Sequence, residues 1–460
     1  MSALWTSADA EAATLGRATR EFSVSGLSID TRTLMPGDLF VALKGDNRDG
    51  HEFVRAALDR EAAAALVTRA PQGVAADEPL LMVANTQRGL EDLARAARAR
   101  SSAKIVAVTG SAGKTTTKEM LRLAFGALGQ THASAASYNN HWGVPLSLAA
   151  LPREAKFGVF EIGMNHFGEI RALAGFVRPH VALITTIAPA HLEFFGTCEA
   201  IADAKSEIFE HLAPGGAALI PSDSDYANRL TARAHQSNAT RILSFGEKPK
   251  SDARLSSLNE SETGAQIRAE ILGREYTFII GAQGRHMAVN AIGALLVVAS
   301  LDGDVEKAAS ALREFSALKG RGARFTIQLE NGTAEIIDES YNANPASMAT
   351  AFALLSAAKA KRRIAILGDM LELGEDAREH HAALASGLEQ ARADLVFACG
   401  ANMRALWDAL PQSRRGAYAA TSAELAPQIA IQPGDAILVK GSFGSRMALI
   451  IDALKACGAK

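Results

Sequence analysis

From Lys104 onward, short β-branched runs alternate with stretches of helical character, and no other property of the chain constrains its fold so tightly. KIVAVT (104–109), KFGVFEIG (156–163), HVALITTI (180–187), GGAALI (215–220) and RILSFG (241–246) are almost wholly apolar, with helices expected from about Lys114 and near 199–212. A strand buried on both faces reads this way, so the alternation predicts a parallel sheet covered by helices on either side. HMAVNAIGALLVVASL (286–301) closes the unit as a helix. Its apolar run, 291–301, is the longest found and falls well short of the ~18 residues of a membrane span, so it reads as a buried helix in a protein not embedded in a membrane.

A chain of 460 residues exceeds what one core organises, and roughly 150 residues per domain predicts about three domains. Residues 1–102 hold the strand-like LFVAL (39–43), a helical EFVRAALDREAAAALV (52–67) and a second helical run, LEDLARAARAR (90–100). The polar SSAK (101–104) reads as a linker into a central domain, 103–319. KGRGAR (319–324) reads as a hinge into a third, 320–460, whose short strands AEIIDES (334–340), RIAILG (363–368), DLVFACG (394–400) and AILVKGS (436–442) predict another doubly wound sheet. The expected fold class is therefore α/β in three domains: an N-terminal α/β domain, a central domain with a mostly parallel sheet, and a Rossmann-like C-terminal domain. Ligands are expected outside the carboxyl ends of the strands.

The formal charge of −2 gives no case for nucleic acid, and a small-molecule substrate fits better. Cys198, Cys399 and Cys457 are too few and too scattered for a disulfide framework or a zinc site, which suits a reducing cytosol. The N-terminus lacks the basic and apolar segments of a signal peptide.

After the first central strand comes VTGSAGKTTT (108–117). A glycine turn between strand and helix presents backbone N–H groups and a helix N-terminus to an anion, so this is a phosphate cradle. The usual P-loop spacing would place a glycine at Val108; here the loop is the shorter Gly110-Ser111-Ala112-Gly113-Lys114-Thr115, with Thr116 following. Lys114 would reach the terminal phosphates and the Thr115 hydroxyl would ligate Mg²⁺. Glu161, at the carboxyl end of its strand, is either a further Mg²⁺ ligand or a polar cap. His191, in IAPAHLEFFG, is a metal ligand or a hydrogen-bonded core histidine, and Lys205 by itself reads as a solvated helix residue. Asn290, in an apolar helix, either binds an adenine edge or ties down a loop. Arg321 in the hinge either follows phosphate or is ordinary linker charge, and DESYNANPASM (338–348), which packs acid, aromatic and amide groups at a strand end, is either a functional turn or a plain Asx-type one.

Together these stretches resemble the Mur ligase family of peptidoglycan synthesis, over all three regions in order. The short TGSAGKTTT loop is the form that family uses. The resemblance implies Mg²⁺ ligation by Glu161 and His191, through EIGMNHFGEI and IAPAHLEFFG. Through ADAKSEIF it makes Lys205 an active-site group, carbamylated in many members. It places Asn290 and Arg321, or its neighbour Arg324, at the nucleotide, and Glu339 near the ribose where the family motif DDSYNANP has aspartate; Tyr341, Asn342 and Asn344 of this turn face substrate. SIDTRTLMPGDLFVALKGDNRDGHEF (28–53) resembles a UDP-binding domain, with Thr31 and Arg32 as contacts for the uridine diphosphate, and YNNHWGVPLSL (138–148) offers Asn139 and Asn140 to the muramoyl side.

LGDMLELG (367–374) and VKGSFGSRM (439–447) match in the third domain. With SYNANP they point to the branch that joins D-alanyl-D-alanine to UDP-N-acetylmuramoyl-tripeptide, using ATP and two Mg²⁺ ions. The sister branch typically carries a DNPR motif that reads the amino acid it adds, and no DNPR occurs here. The resemblance thus implies an ATP-dependent amide-forming ligase working through an acyl phosphate, as a monomer. Another ligase of the superfamily, such as a folylpolyglutamate synthase, and a signalling P-loop NTPase are the alternatives.

Overall fold

The computed structural model describes residues 3–75, 77–135, 137–261 and 264–458. Three main sheets follow one another along the chain, and each carries apolar side chains on faces covered by helices.

The first sheet has the order Arg17–Ala18, Leu80–Met82, Ala64–Val67, Asp38–Val41, Gly26–Ser28, and it is parallel except at the Arg17–Ala18 edge. One sequence expectation fails here. EFVRAALDREAAAALV is not one helix: a helix ends at Asp59, Glu61 turns the chain at φ +64°, and Ala64–Val67 is a fully buried strand. Alanine favours helix locally, but pairing with the strands on both sides buries this run in the middle of a sheet, and tertiary context overrides propensity. The helix Thr86–Arg100 does form as read. Asn85 caps it by accepting from Arg88 N at 2.9 Å, and Leu90, Leu93, Ala94 and Ala97 make a buried stripe.

The central sheet has nine strands in the order Arg274–Ile280, Gly264–Ile271, Ala253–Ser261, Arg241–Gly246, Ala217–Pro221, Val181–Ile184, Lys104–Thr109, Phe157–Glu161, Thr131–Ala133. The five apolar runs read from sequence are all strands and all parallel. The meander from Ala253 to Ile280 extends the sheet with two antiparallel pairs that the sequence reading passed over. Chain direction across the sheet reverses at Lys104–Thr109, which lies between Phe157–Glu161 and Val181–Ile184. A crevice opens at such a switch point, beyond the carboxyl ends of the strands.

In the third sheet, Ala323–Leu329 pairs antiparallel with Gly332–Glu339, and Asp435–Lys440, Arg362–Gly368, Leu395–Cys399 and Arg415–Ala419 continue it in parallel. Apolar clusters lie on both faces, as a doubly wound sheet requires. The helix Pro345–Ala357 begins at a capping box in which Asn344 and Ser347 exchange side-chain and backbone bonds. Among the described residues no helix is long and apolar enough to cross a membrane.

Candidate active site

The phosphate loop leaves Lys104–Thr109 at the switch point, and its shape is enforced by neighbours rather than by itself. Gly110 and Gly113 have φ of +151° and +81°. A Cβ on Gly110 would lie 1.9 Å from Thr185 Oγ1, and one on Gly113 would lie 2.9 Å from Asn290 Nδ2. Both positions therefore need glycine for space as well as for conformation. Ser111 N donates to Thr186 O at 2.9 Å and its hydroxyl to Ala188 O at 2.9 Å, stapling the loop to the chain that follows Val181–Ile184. The helix Lys114–Gly126 has no side-chain cap, so its first N–H groups are left for a ligand.

Lys114 bends back to donate from Nζ to Gly110 O at 2.7 Å. Burial pushes its pKa down, Glu161 opposes that shift and Arg321 adds to it. Thr115 Oγ1 donates to Glu161 Oε2 at 2.8 Å, and Asn139 Nδ2 to Glu161 Oε1 at 2.7 Å. Glu161 is 1% exposed. A hydroxyl and a carboxylate held together beside a phosphate loop are hard oxygen donors that fit Mg²⁺, which keeps most of its shell for water and phosphate. Among the described residues no three His, Cys, Asp or Glu side chains gather closely enough to cage a metal.

Lys205 projects from the helix Cys198–Ser206 and is 1% exposed, so the reading of a solvated lysine is overturned. Loss of water, reinforced by the charge of Lys114, drives its pKa well down. A buried ammonium with that neighbour is expensive, which favours the neutral amine, the form able to take up carbon dioxide as a carbamate.

His191 follows the strand Val181–Ile184 in a left-handed conformation, φ +57°. Its Nδ1 meets the Glu372 carboxylate of the third domain, and that contact holds the Glu372 pKa down. Glu372 is also left-handed, φ +63°. Two non-glycine residues in that region cost about 1 kcal/mol or more each, a cost seen where surrounding contacts over-determine the backbone. Glu193 N donates to Glu372 O at 3.3 Å, and Leu192 packs against both the central and the third-domain cores.

Other third-domain groups arrive through the hinge and the turn after Gly332–Glu339. Gly320 N donates to buried Asp338 Oδ2 at 2.9 Å, Tyr341 N donates to Gly320 O, and the Arg321 guanidinium lies 3.9 Å from the centre of the Tyr341 ring while donating to Ser137 Oγ. Arg324 instead pairs with Glu335 at 3.0 Å, so of the two arginines it is Arg321 that faces the cavity. Asn344 and Asn140 line the cavity but spend side-chain oxygens on helix starts, Asn344 to Ser347 N and Asn140 to Gly143 N, both at 2.9 Å. Asn342 Oδ1 accepts from Ala343 N. Asn290 sits against Gly113 and lines the cavity.

One cavity of about 1150 Å³ gathers Ser111, Gly113, Lys114, Thr116, Asn139, Asn140, Glu161, His191, Lys205, Asn290, Arg321, Glu339, Tyr341, Asn342 and Asn344. Gly110 and Thr115 adjoin it through their bonds to Lys114 and Glu161. Thr31 and Arg32 do not reach it. Arg32 is 83% exposed in its side chain and pairs with Asp30 on the first domain. The sequence reading missed Lys440, which is 1% exposed and donates from Nζ to Asn342 O at 2.9 Å and to Glu339 Oε2 at 3.4 Å. It also missed Glu372. Both lie in stretches quoted above, VKGS and LGDMLELG, where strand-end placement was the available signal.

Sequence comparison covers the same three regions. The profile described as the Mur ligase family catalytic domain matches residues 23–100, the Mur ligase middle domain matches 108–298, and the Mur ligase glutamate ligase domain matches 323–443. The UDP-N-acetylmuramoyl-tripeptide–D-alanyl-D-alanine ligase of Rickettsia prowazekii is 32% identical over 93% of this chain and 94% of its own. The protein of the same name from Escherichia coli is 33% identical over 95% of each. A crystal structure of MurF from Acinetobacter baumannii superposes with a TM-score of 0.84 at 30% identity, covering 98% of this chain and 99% of that one. Shared sequence over nearly the whole length, the same domain order and the same fold lead to one conclusion: the chain belongs to the Mur ligase family.

Proposed function

We infer that the chain joins D-alanyl-D-alanine to UDP-N-acetylmuramoyl-tripeptide in an ATP-dependent reaction. The observation that carries this reading is the single cavity into which the phosphate loop, Glu161, Lys205 and the third-domain turn 339–344 all project, with Glu91 of the first domain at its edge. ATP phosphorylates the terminal carboxylate of the tripeptide. The dipeptide amine then attacks the acyl phosphate, forming the amide and releasing phosphate. Three units closing on one cavity also exclude the water that would hydrolyse such an intermediate. The units are proposed to divide near residues 102 and 319.

In this reading Lys114 and the N–H groups of Gly110–Thr116 bind the terminal phosphates. Thr115 and Glu161 would hold one Mg²⁺, and His191 with a carbamylated Lys205 a second. Mg²⁺, when bound, supplies charge neutralisation at the phosphoryl oxygens. Asn139 orients the Glu161 carboxylate. Arg321, stacked on Tyr341, would bring a cation to the phosphate side as the third domain docks, and Glu339 would meet the ribose. Asn140, Asn342 and Asn344 shape the walls on the substrate side through the turns they cap. Thr31 and Arg32 would meet the uridine diphosphate away from the cavity. The protein performs little covalent chemistry, and its contribution is positioning and electrostatics.

The deciding measurement is phosphate release with ATP, Mg²⁺ and UDP-N-acetylmuramoyl-tripeptide, with D-alanyl-D-alanine, diaminopimelate, lysine or glutamate as the amine. Release that depends on D-alanyl-D-alanine is expected. Equal release with no amine would instead favour an NTPase. Lys205→Ala is expected to lose activity and regain part of it with short carboxylic acids, whose anions replace the carbamate.

A further inference from the structure

The contact between His191 and Glu372 crosses from one domain to another, and nothing in the reaction as outlined uses it. His191 and Glu372 meet through Nδ1 and a carboxylate oxygen. Around them, Glu193 N bonds Glu372 O, and Leu192 is inserted between two cores. Gly374, two residues beyond Glu372, lies so close that an added Cβ would sit 3.4 Å from Glu193 Cα. The two loops are therefore fitted to each other over residues 191–193 and 372–374.

With the Glu372 carboxylate set against Nδ1, Nε2 is the ring nitrogen that the third domain leaves unengaged. His191 lines the cavity that holds the phosphate loop, Glu161 and Lys205. A carboxylate beside a ligating imidazole orients the ring. Here it comes from the domain that also supplies Tyr341 and Lys440 to the cavity, so the ligand's orientation depends on where that domain sits.

We propose that Glu372 is a positioning residue for His191: by holding Nδ1 it presents Nε2 to the metal, and it thereby links metal affinity to docking of the third domain. This rests on the reading of His191 as a Mg²⁺ ligand. Domain docking then tightens the metal site, and by linkage the bound metal favours the docked arrangement by the same factor.

The test is Mn²⁺ titration of the full chain, with free Mn²⁺ followed by electron paramagnetic resonance, in wild type, His191→Ala, Glu372→Ala, Glu372→Gln and Leu192→Ala. Glu372→Ala is expected to weaken the His191-dependent site about tenfold or more, the range seen when such a carboxylate partner is removed. Glu372→Gln keeps an acceptor oxygen without charge and is expected to fall between Glu372→Ala and wild type. If Glu372→Ala fails to fold, the near-isosteric Gln variant decides. Leu192→Ala, which loosens the seam without touching either polar group, is expected to weaken Mn²⁺ in the same direction and by less. Wild-type Mn²⁺ affinity in both Glu372 variants, with affinity lost in His191→Ala, overturns the proposal and leaves His191 as a ligand. Wild-type affinity in His191→Ala overturns both.

Discussion

The two seams between the domains are built from different materials. Where the first domain meets the central one, a single apolar cluster runs through both, from Trp5, Val24, Leu39 and Leu90 to Ile105, Val144 and Phe160. Buried polar groups bond across the seam: Trp5 Nε1 donates to Ala149 O at 2.9 Å, and Arg98 donates to Val177 O at 2.7 Å and Arg178 O at 2.8 Å. The Arg100 guanidinium lies 3.7 Å from the centre of the Trp5 ring, and burial brings the pKa of both arginines down only to about 10, so they stay charged at neutral pH. Where the third domain meets the central one, the described contacts are instead local, among them Arg321 with Ser137, His191 with Glu372, Glu193 N with Glu372 O, and the insertion of Leu192. Gly320 and Gly322, with φ of +75° and +91°, provide the intervening bend. The first seam is a core and the second is a contact. A chain built this way keeps the first domain fixed and can move the third.

That contrast can be broken at several points. Lys114→Ala removes the cation from the phosphate loop and touches neither seam. It is expected to lower D-alanyl-D-alanine-dependent phosphate release by about 10³-fold, with an unchanged urea midpoint; undiminished turnover would remove the loop from the site. Trp5→Ala cuts the first seam. It is expected to lower global stability by about 3 kcal/mol, near the small end for a buried tryptophan, because the Arg100 side chain can fill part of the gap. A loss below about 1 kcal/mol in chemical denaturation would mean that this seam too is a loose contact.

Leu192→Ala cuts the second seam. The lost apolar contact is worth about 1 kcal/mol, and it should appear as a several-fold rise in KM for the dipeptide with little change in unfolding. A drop in stability as large as that of Trp5→Ala would erase the distinction. The last expected effect is a pH dependence. His180 Nδ1 accepts from Ile105 N at 2.9 Å, and burial together with Arg98 and Lys104 lowers its pKa from 6.5 to about 4. Between those values the unfolded chain binds the extra proton and the folded one does not. Stability is thus fully present above pH 6.5 and declines as pH falls toward 4. His180→Gln should flatten the urea midpoint over that window, and a profile identical to wild type would dismiss the role.

Much of this architecture was legible in the sequence because parallel strands are buried on both faces and leave continuous apolar runs. Ala64–Val67 was not, since an alanine-rich run carries a helical propensity that only its two neighbouring strands overrule. The meander at 253–280 was missed although Gly264–Ile271 alternates buried and exposed positions for most of its length. At the site, Lys114, Thr115 and Glu161 could be placed from strand ends and loop spacing alone. Lys205 could not, because a lysine on a short helix reads the same whether solvent or a second lysine faces it, and only the family resemblance singled it out. Glu372 depends on two domains meeting in space, which no local pattern encodes, and Lys440 on two strands of the third sheet lying side by side so that it faces Glu339.

The contact between Gly113 and Asn290 has a consequence for how the chain is made. Asn290 lies on Arg285–Ser300, the helix that follows the whole central sheet, and its amide occupies the space above a loop translated some way ahead of it. On the ribosome, Gly110–Thr115 emerges with one of its walls still unsynthesised. The nascent domain can pair its first strands, but it cannot complete a nucleotide site until translation has passed residue 290, so long-range closure sets the moment at which ATP can begin to stabilise the fold.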